Sequence, residues 1–246
     1  MPGSDKILVA LDVPDIPAAQ SLVKQLAPHV GGFKVGLELM NHVGAPQIVE
    51  AVRDAGGMLF FDGKFHDIPN TVAGAVRGAI LPGIGLLNVH CLGGPAMMKG
   101  AKEAAITEAS AQKIPVPKVI GVTILTSMNV AELQAIGMQQ IKESRDITIL
   151  VGHLALEAKK AGLDGVVSSP QEISLIRELC GPDFLIVTPG VRPTWAATGD
   201  QKRVMTPKDA VAAGADYLVI GRPITNPPKE IGSPADAAQK IIAELQ

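Results

Sequence analysis

Met58-Leu59-Phe60-Phe61-Asp62-Gly63-Lys64-Phe65-His66-Asp67-Ile68-Pro69-Asn70-Thr71 is the stretch on which the reading of the chain turns. Four apolar residues, Met58 to Phe61, suggest a strand buried on both sides. The run ends in two carboxylates with an ammonium between them. If the strand continues, Asp62 and Lys64 are two residues apart and point to the same face. A charged pair there is costly to desolvate and seldom improves on a hydrophobic substitute. Asp-x-Lys alone therefore admits two readings, a salt bridge closing a sheet end or a working site. The further carboxylate at Asp67 and the rigid Ile68-Pro69 behind it favour the working site.

The same grammar repeats along the chain. Ile7 to Leu11 is apolar and stops at Asp12; Asp15 and Pro17 then start a helix carrying Ile16, Ala19, Leu22, Val23 and Leu26. Phe33 to Val35 encloses Lys34, and a helical segment with Ile48, Val49 and Val52 follows it. Beyond the focal strand a small-residue helix is expected from about Asn70 to Leu81. Leu86 to Val89 ends at His90, before a helix from about Pro95 to Gln112. Val119 to Val122 ends at Thr123, before a long helical stretch interrupted near Gly137 and resuming to about Ala161. Gly165 to Val167 ends at Ser168, Phe184 to Val187 at Thr188, and Tyr217 to Ile220 at Gly221-Arg222. Helices are expected near Gln171–Leu179, Pro207–Ala213 and Ser233–Leu245.

Eight apolar runs, each followed by a helical segment, predict a single (β/α)8 TIM barrel spanning residues 1–246. A doubly wound sheet shares the alternation, but no Gly-x-Gly-x-x-Gly follows the first strand and no Walker A sequence occurs. The chain is 47% hydrophobic and only 19% charged, enough for a sizeable core. A net charge of −2 argues against nucleic acid as a partner. Cys91 and Cys180 lack metal or redox spacing, which fits a reducing cytoplasm. The opening Met1 to Lys6 leads into an apolar run too short for a signal peptide. The uncharged stretch from Gly78 to Met98 has the length of a membrane span. Its Pro82, Gly83, Asn88 and Gly93-Gly94-Pro95 make it a turn, a buried strand and another turn instead.

In such a barrel the C-terminal strand ends carry the chemistry. Here they hold Asp12, Asp62, Lys64, Thr126, Ser168, Thr188 and Arg222, with Lys34 inside its strand. Lys34 read alone is a snorkelling surface lysine or a buried one, and Phe33 and Val35 favour burial. Asp12 is either the cap of the first helix or part of the site. His66 reads as a structural, hydrogen-bonded histidine rather than a catalyst, and His90, at a strand end, has no partner visible in sequence, so neither is placed in the site. After the seventh and eighth strands come Pro189-Gly190-Val191-Arg192-Pro193 and Gly221-Arg222, where such barrels often hold a phosphate. The long polar connection from Val191 to Met205 has the length of a mobile functional lid.

Together these residues resemble the orotidine 5′-monophosphate decarboxylases, which make uridine 5′-monophosphate in pyrimidine synthesis. The carriers are Ala10-Leu11-Asp12, Phe33-Lys34-Val35-Gly36, Asp62 to Thr71, Val122 to Ser127, Thr188 to Pro193, Gly199-Asp200-Gln201 and Ile220 to Pro223. They run in order from residue 10 to residue 223. The resemblance implies that Lys64 protonates C6, beside Asp62 and with Asp67 arriving from the second subunit of a homodimer. It implies that Lys34 and Asp12 contact the ribose, Thr126 the pyrimidine region, and Ile68 and Thr71 the neighbouring subunit's ring and ribose. Arg192, Gln201, Gly221 and Arg222 would hold the phosphate, with no metal or organic cofactor. Gly63 departs from the family, where bulky apolar residues are usual, and its side-chain direction should be away from the site. The nearest rival is a Mg²⁺-using sugar-phosphate relative, in which a glutamate is expected where this chain has Lys34. A non-catalytic nucleotide binder is the other, but it would gain little from keeping Asp62 beside Lys64.

Overall fold

The computed structural model describes residues 3–54, 57–196 and 205–245. The apolar runs become parallel strands β1 (Ile7–Ala10), β2 (Gly32–Val35), β3 (Met58–Phe65), β4 (Ile84–His90), β5 (Lys118–Val122), β6 (Gly165–Val167), β7 (Leu185–Pro189) and β8 (Tyr217–Ile220). They close in sequence order, with β8 pairing back to β1 through Leu8 opposite Val219. Closure explains why these strands are apolar on both faces rather than alternating. One face fills the barrel, where Leu8, Phe60, Leu86, Ile120 and Val187 pack together. The other, with Ile7, Val9, Phe33 and Leu59, lies under the helices. Fully burying a side chain such as Phe60 or Leu86 contributes about 1.5–3 kcal/mol.

The helices form the outer ring. After β1 comes α1 (Ile16–Leu26), whose N-cap Asp15 accepts a hydrogen bond from the Ala18 amide at 2.8 Å. It buries Ala19, Val23 and Leu26. Two helices follow β2, α2 (Leu37–Val43) and α3 (Ala45–Arg53); α2 has no counterpart among the expected segments. After β3 and β4 come α4 (Pro69–Ala79) and α5 (Gly94–Gln112). The stretch from Gly78 to Met98 is thus the end of α4, a turn, β4 and the start of α5, as the sequence implied. Among the described residues no helix is long and apolar enough to cross a membrane.

The interruption expected near Gly137 is wider than one residue. It separates α6 (Val130–Ala135) from α7 (Ser144–Lys160), and each begins with its own reciprocal cap, Asn129 with Glu132 and Glu143 with Asp146. The remaining helices are α8 (Ile173–Cys180), α9 (Pro207–Ala213), the short α10 (Arg222–Thr225) and α11 (Pro234–Glu244). Between β6 and β7 the strands approach so closely that a Cβ on Gly165 would lie 2.2 Å from the Leu185 carbonyl oxygen. That position requires glycine.

Two expectations change in detail. The focal strand runs on to Phe65, but not as a regular pleat. Its register against β4 shifts between Phe61 and Phe65, and Lys64 has a left-handed φ of 47°. Simple alternation is therefore not what brings Asp62 and Lys64 together. The connection after β7 begins buried rather than as a surface loop, through Val191, Arg192 and Pro193. The Arg192 amide donates to the Met205 carbonyl at 3.0 Å, which ties its two ends together. The lid expectation for its middle, with Gly199, Asp200 and Gln201, falls on residues 197–204, outside those described.

Candidate active site

The C-terminal strand ends converge on a cavity of about 290 Å³. Asp12, Lys34, Asp62 and Lys64 line one side of it, and Arg192, Gly221 and Arg222 also line it. Ala10, Phe60, Val122, Ile124, Val167 and Val219 supply apolar walls, and Thr126 completes the lining near Leu125. Four cationic side chains against two acidic ones give the cavity a positive balance within a chain of net charge −2. Such a cleft attracts anions.

Charges of alternating sign run in a chain through the site. Lys34 Nζ lies 2.7 Å from Asp12 Oδ1 and 3.8 Å from Asp62 Oδ2, and Lys64 Nζ lies 2.7 Å from the same Asp62 oxygen. The side chains of Lys34 and Asp62 are only 9% and 12% exposed, so neither charge is left to water. Breaking one partner out of such a group costs far more than a surface pair would. The surface reading of Lys34 is thereby excluded. So is the capping reading of Asp12, because Asp15 caps α1 and Asp12 pairs with Lys34.

Asn88 on β4 joins this chain and was not singled out from sequence. It is fully buried; its Nδ2 donates to Asp62 Oδ1 at 2.6 Å and its Oδ1 accepts from the Lys64 amide at 2.7 Å. The available signal was an amide inside an otherwise Leu- and Val-rich strand, which has to find partners when buried. His66 and His90 stand beside the same pair with ring centroids 5.3 Å apart. Burial, followed by His66 and Lys64, holds His90 below the usual imidazole pKa, while Asp62 opposes the shift. Gly63 faces the other way, as expected: a Cβ there would lie 3.0–3.2 Å from the Phe61 and Phe65 rings, which stack on each other.

Not every residue singled out from sequence reaches the cavity of its own chain. Asp67 is exposed, and its Oδ1 accepts from the Ile68 amide at 2.6 Å. Ile68 is 67% exposed, and Thr71 is exposed in the first turn of α4. Gln201 lies outside the described residues. Among the described residues no cluster of His, Cys, Asp and Glu is arranged to hold a metal ion.

A closed parallel barrel whose C-terminal rim combines an acid–lysine chain, buried at Lys34 and Asp62, with two guanidiniums has the make-up of a barrel enzyme acting on an anionic small molecule. The particular family follows from comparison with known proteins. This chain belongs to the orotidine 5′-phosphate decarboxylase / HUMPS family, whose model matches residues 5–241. It is 51% identical to the orotidine 5′-phosphate decarboxylase of Moorella thermoacetica over 100% of this chain and 94% of the relative. It is 48% identical to that of Syntrophomonas wolfei, over the whole length of both. Among solved structures, the orotidine 5′-phosphate decarboxylase of Lactobacillus acidophilus superposes with a TM-score of 0.81 at 35% identity, covering 98% of each chain.

Proposed function

We propose that this protein decarboxylates orotidine 5′-monophosphate to uridine 5′-monophosphate and carbon dioxide, without metal or organic cofactor, in pyrimidine biosynthesis. The observation that carries the reading is the run Asp12–Lys34–Asp62–Lys64, buried at Lys34 and Asp62, along a cavity that two arginines also line. Loss of carbon dioxide leaves a carbanion at C6 of the pyrimidine. The Lys64 ammonium, fixed by Asp62, stabilises that charge electrostatically and delivers the proton that quenches it. Arg192, Gly221, Arg222 and Gln201 grip the phosphate, Asp12 and Lys34 the ribose, and Thr126 the pyrimidine region. Binding energy from the remote phosphate is then available to hold the ring at Lys64.

The whole chain acts as one catalytic domain, as a cytoplasmic homodimer with a site shared between subunits. The exposure of Asp67, Ile68 and Thr71 supports sharing, since these side chains are free to complete a neighbour's cavity. The metal-using sugar-phosphate alternative is disfavoured by Lys34, whose ammonium occupies the space between Asp12 and Asp62 where a cation would have to sit.

The direct test follows orotidine 5′-monophosphate absorbance after chelator treatment of the protein. Steady loss of absorbance with formation of uridine 5′-monophosphate is expected; no turnover, or turnover only on adding Mg²⁺, would overturn the assignment. A second test addresses sharing. Lys64→Ala and Asp67→Ala subunits are each expected to be inactive as homodimers. In a mixed dimer one site carries both defects, while the other takes an intact Lys64 from one chain and an intact Asp67 from the other. With free exchange in a two-fold dimer, an equal mixture should recover about a quarter of wild-type activity. Mixed dimers verified by mass spectrometry that regain none would rule out the shared site.

A further inference from the structure

We propose that Asn88 is a positioning residue for the proton-transfer pair, holding Asp62 and the Lys64 backbone in one arrangement; this rests on the reading of Lys64 as proton donor. Asn88 does not line the cavity, so it acts through its two partners rather than on substrate. Its amide bonds both members of one salt bridge. Nδ2 donates to the Asp62 oxygen that Lys64 does not use, and Oδ1 accepts from the Lys64 amide. Asp62 is thus held from opposite sides, by the amide on Oδ1 and the ammonium on Oδ2. Such a carboxylate has one orientation rather than a family of them.

The second bond addresses a strained position. Lys64 stands at φ 47°, where the β3–β4 ladder is interrupted, and a left-handed conformation is unfavourable for a non-glycine residue. The amide side chain of Asn88 offers the Lys64 N–H an acceptor at this break. From this kinked position the Lys64 ammonium lies 2.7 Å from Asp62 Oδ2, two residues before it. Only a side chain with a donor and an acceptor side by side serves both groups. Aspartate keeps the acceptor and loses the donor, and leucine loses both at similar volume.

The experiment uses the full-length protein with Asn88→Leu and Asn88→Asp. It measures kcat and KM for orotidine 5′-monophosphate, Kd for uridine 5′-monophosphate, and the folded fraction by circular dichroism. Misplacing a reacting group by about 1 Å can cost about 100-fold. Asn88→Leu should therefore lose about that much in kcat while KM and product Kd stay within about threefold. Asn88→Asp should lose at least as much, because it places a carboxylate against Asp62. A folded variant with near-wild-type kcat would overturn the role. So would losses confined to KM and Kd, or losses that follow the folded fraction, or failure of both variants to fold, each of which makes the amide a structural group only. A wild-type protein inactive on orotidine 5′-monophosphate would instead remove the reaction itself, and the positioning role with it.

Discussion

Replacing Lys64 by alanine should lower kcat by at least about 10⁴-fold, since on the proposed mechanism it removes both the general acid and the ammonium that stabilises the carbanion. Binding of uridine 5′-monophosphate should be retained, because Arg192 and Arg222 belong to other strand ends and are unchanged. The fold should survive as well. Alanine has the same Cβ as lysine, so the backbone demand at φ 47° is not altered. Asp62 also keeps Asn88 at 2.6 Å and Lys34 at 3.8 Å, so its charge is not stranded. Single-turnover assays with excess enzyme, beside equilibrium binding of product, separate the two effects. A variant retaining more than about 1% of wild-type kcat is incompatible with Lys64 as proton donor.

Arg222→Ala should act at the other end of the ligand. Truncating one partner of a charge pair that becomes desolvated in the complex costs roughly 2–5 kcal/mol, or about 30- to 5,000-fold in kcat/KM. Arg222 is exposed in the free protein, so this cost arises on binding and should leave folding stability nearly unchanged. The discriminating comparison uses orotidine, which lacks the phosphate. The substitution should matter little for that truncated substrate, whose rate is already deprived of the remote grip. Equal losses for both substrates would show that Arg222 serves something other than phosphate.

On the proposed function the two substitutions probe a reacting side and a gripping side of the cavity, and these sides come from different parts of the chain. Lys34, Asp62 and Lys64 come from β2 and β3, whereas Arg192 and Arg222 follow β7 and β8. Because the barrel closes in sequence order, β8 lies beside β1. Gly221, after β8, therefore stands near Asp12, and Asp12 next to Lys34.

Local pattern was sufficient for the fold because it is a local property. Apolar runs and helix starts at Asp15-Ile16-Pro17 or Ser233-Pro234 need only neighbours in sequence to be read. Placing Asp12, Lys34, Asp62, Lys64, Arg192 and Arg222 at one barrel end likewise needed only the rule that strand ends share a face. What the sequence could not decide was who pairs with whom. Lys34 reaches back 22 residues to Asp12, and Asn88 reaches back 26 to Asp62 and 24 to the Lys64 amide. Those contacts depend on barrel register and on the break in the β3–β4 ladder, which no periodicity encodes. The same holds for Asp67, Ile68 and Thr71, which share a motif with Lys64 yet lie outside the cavity of their own chain. A kink at φ 47° and the turn into α4 carry them out of it, and only the folded backbone sets that direction.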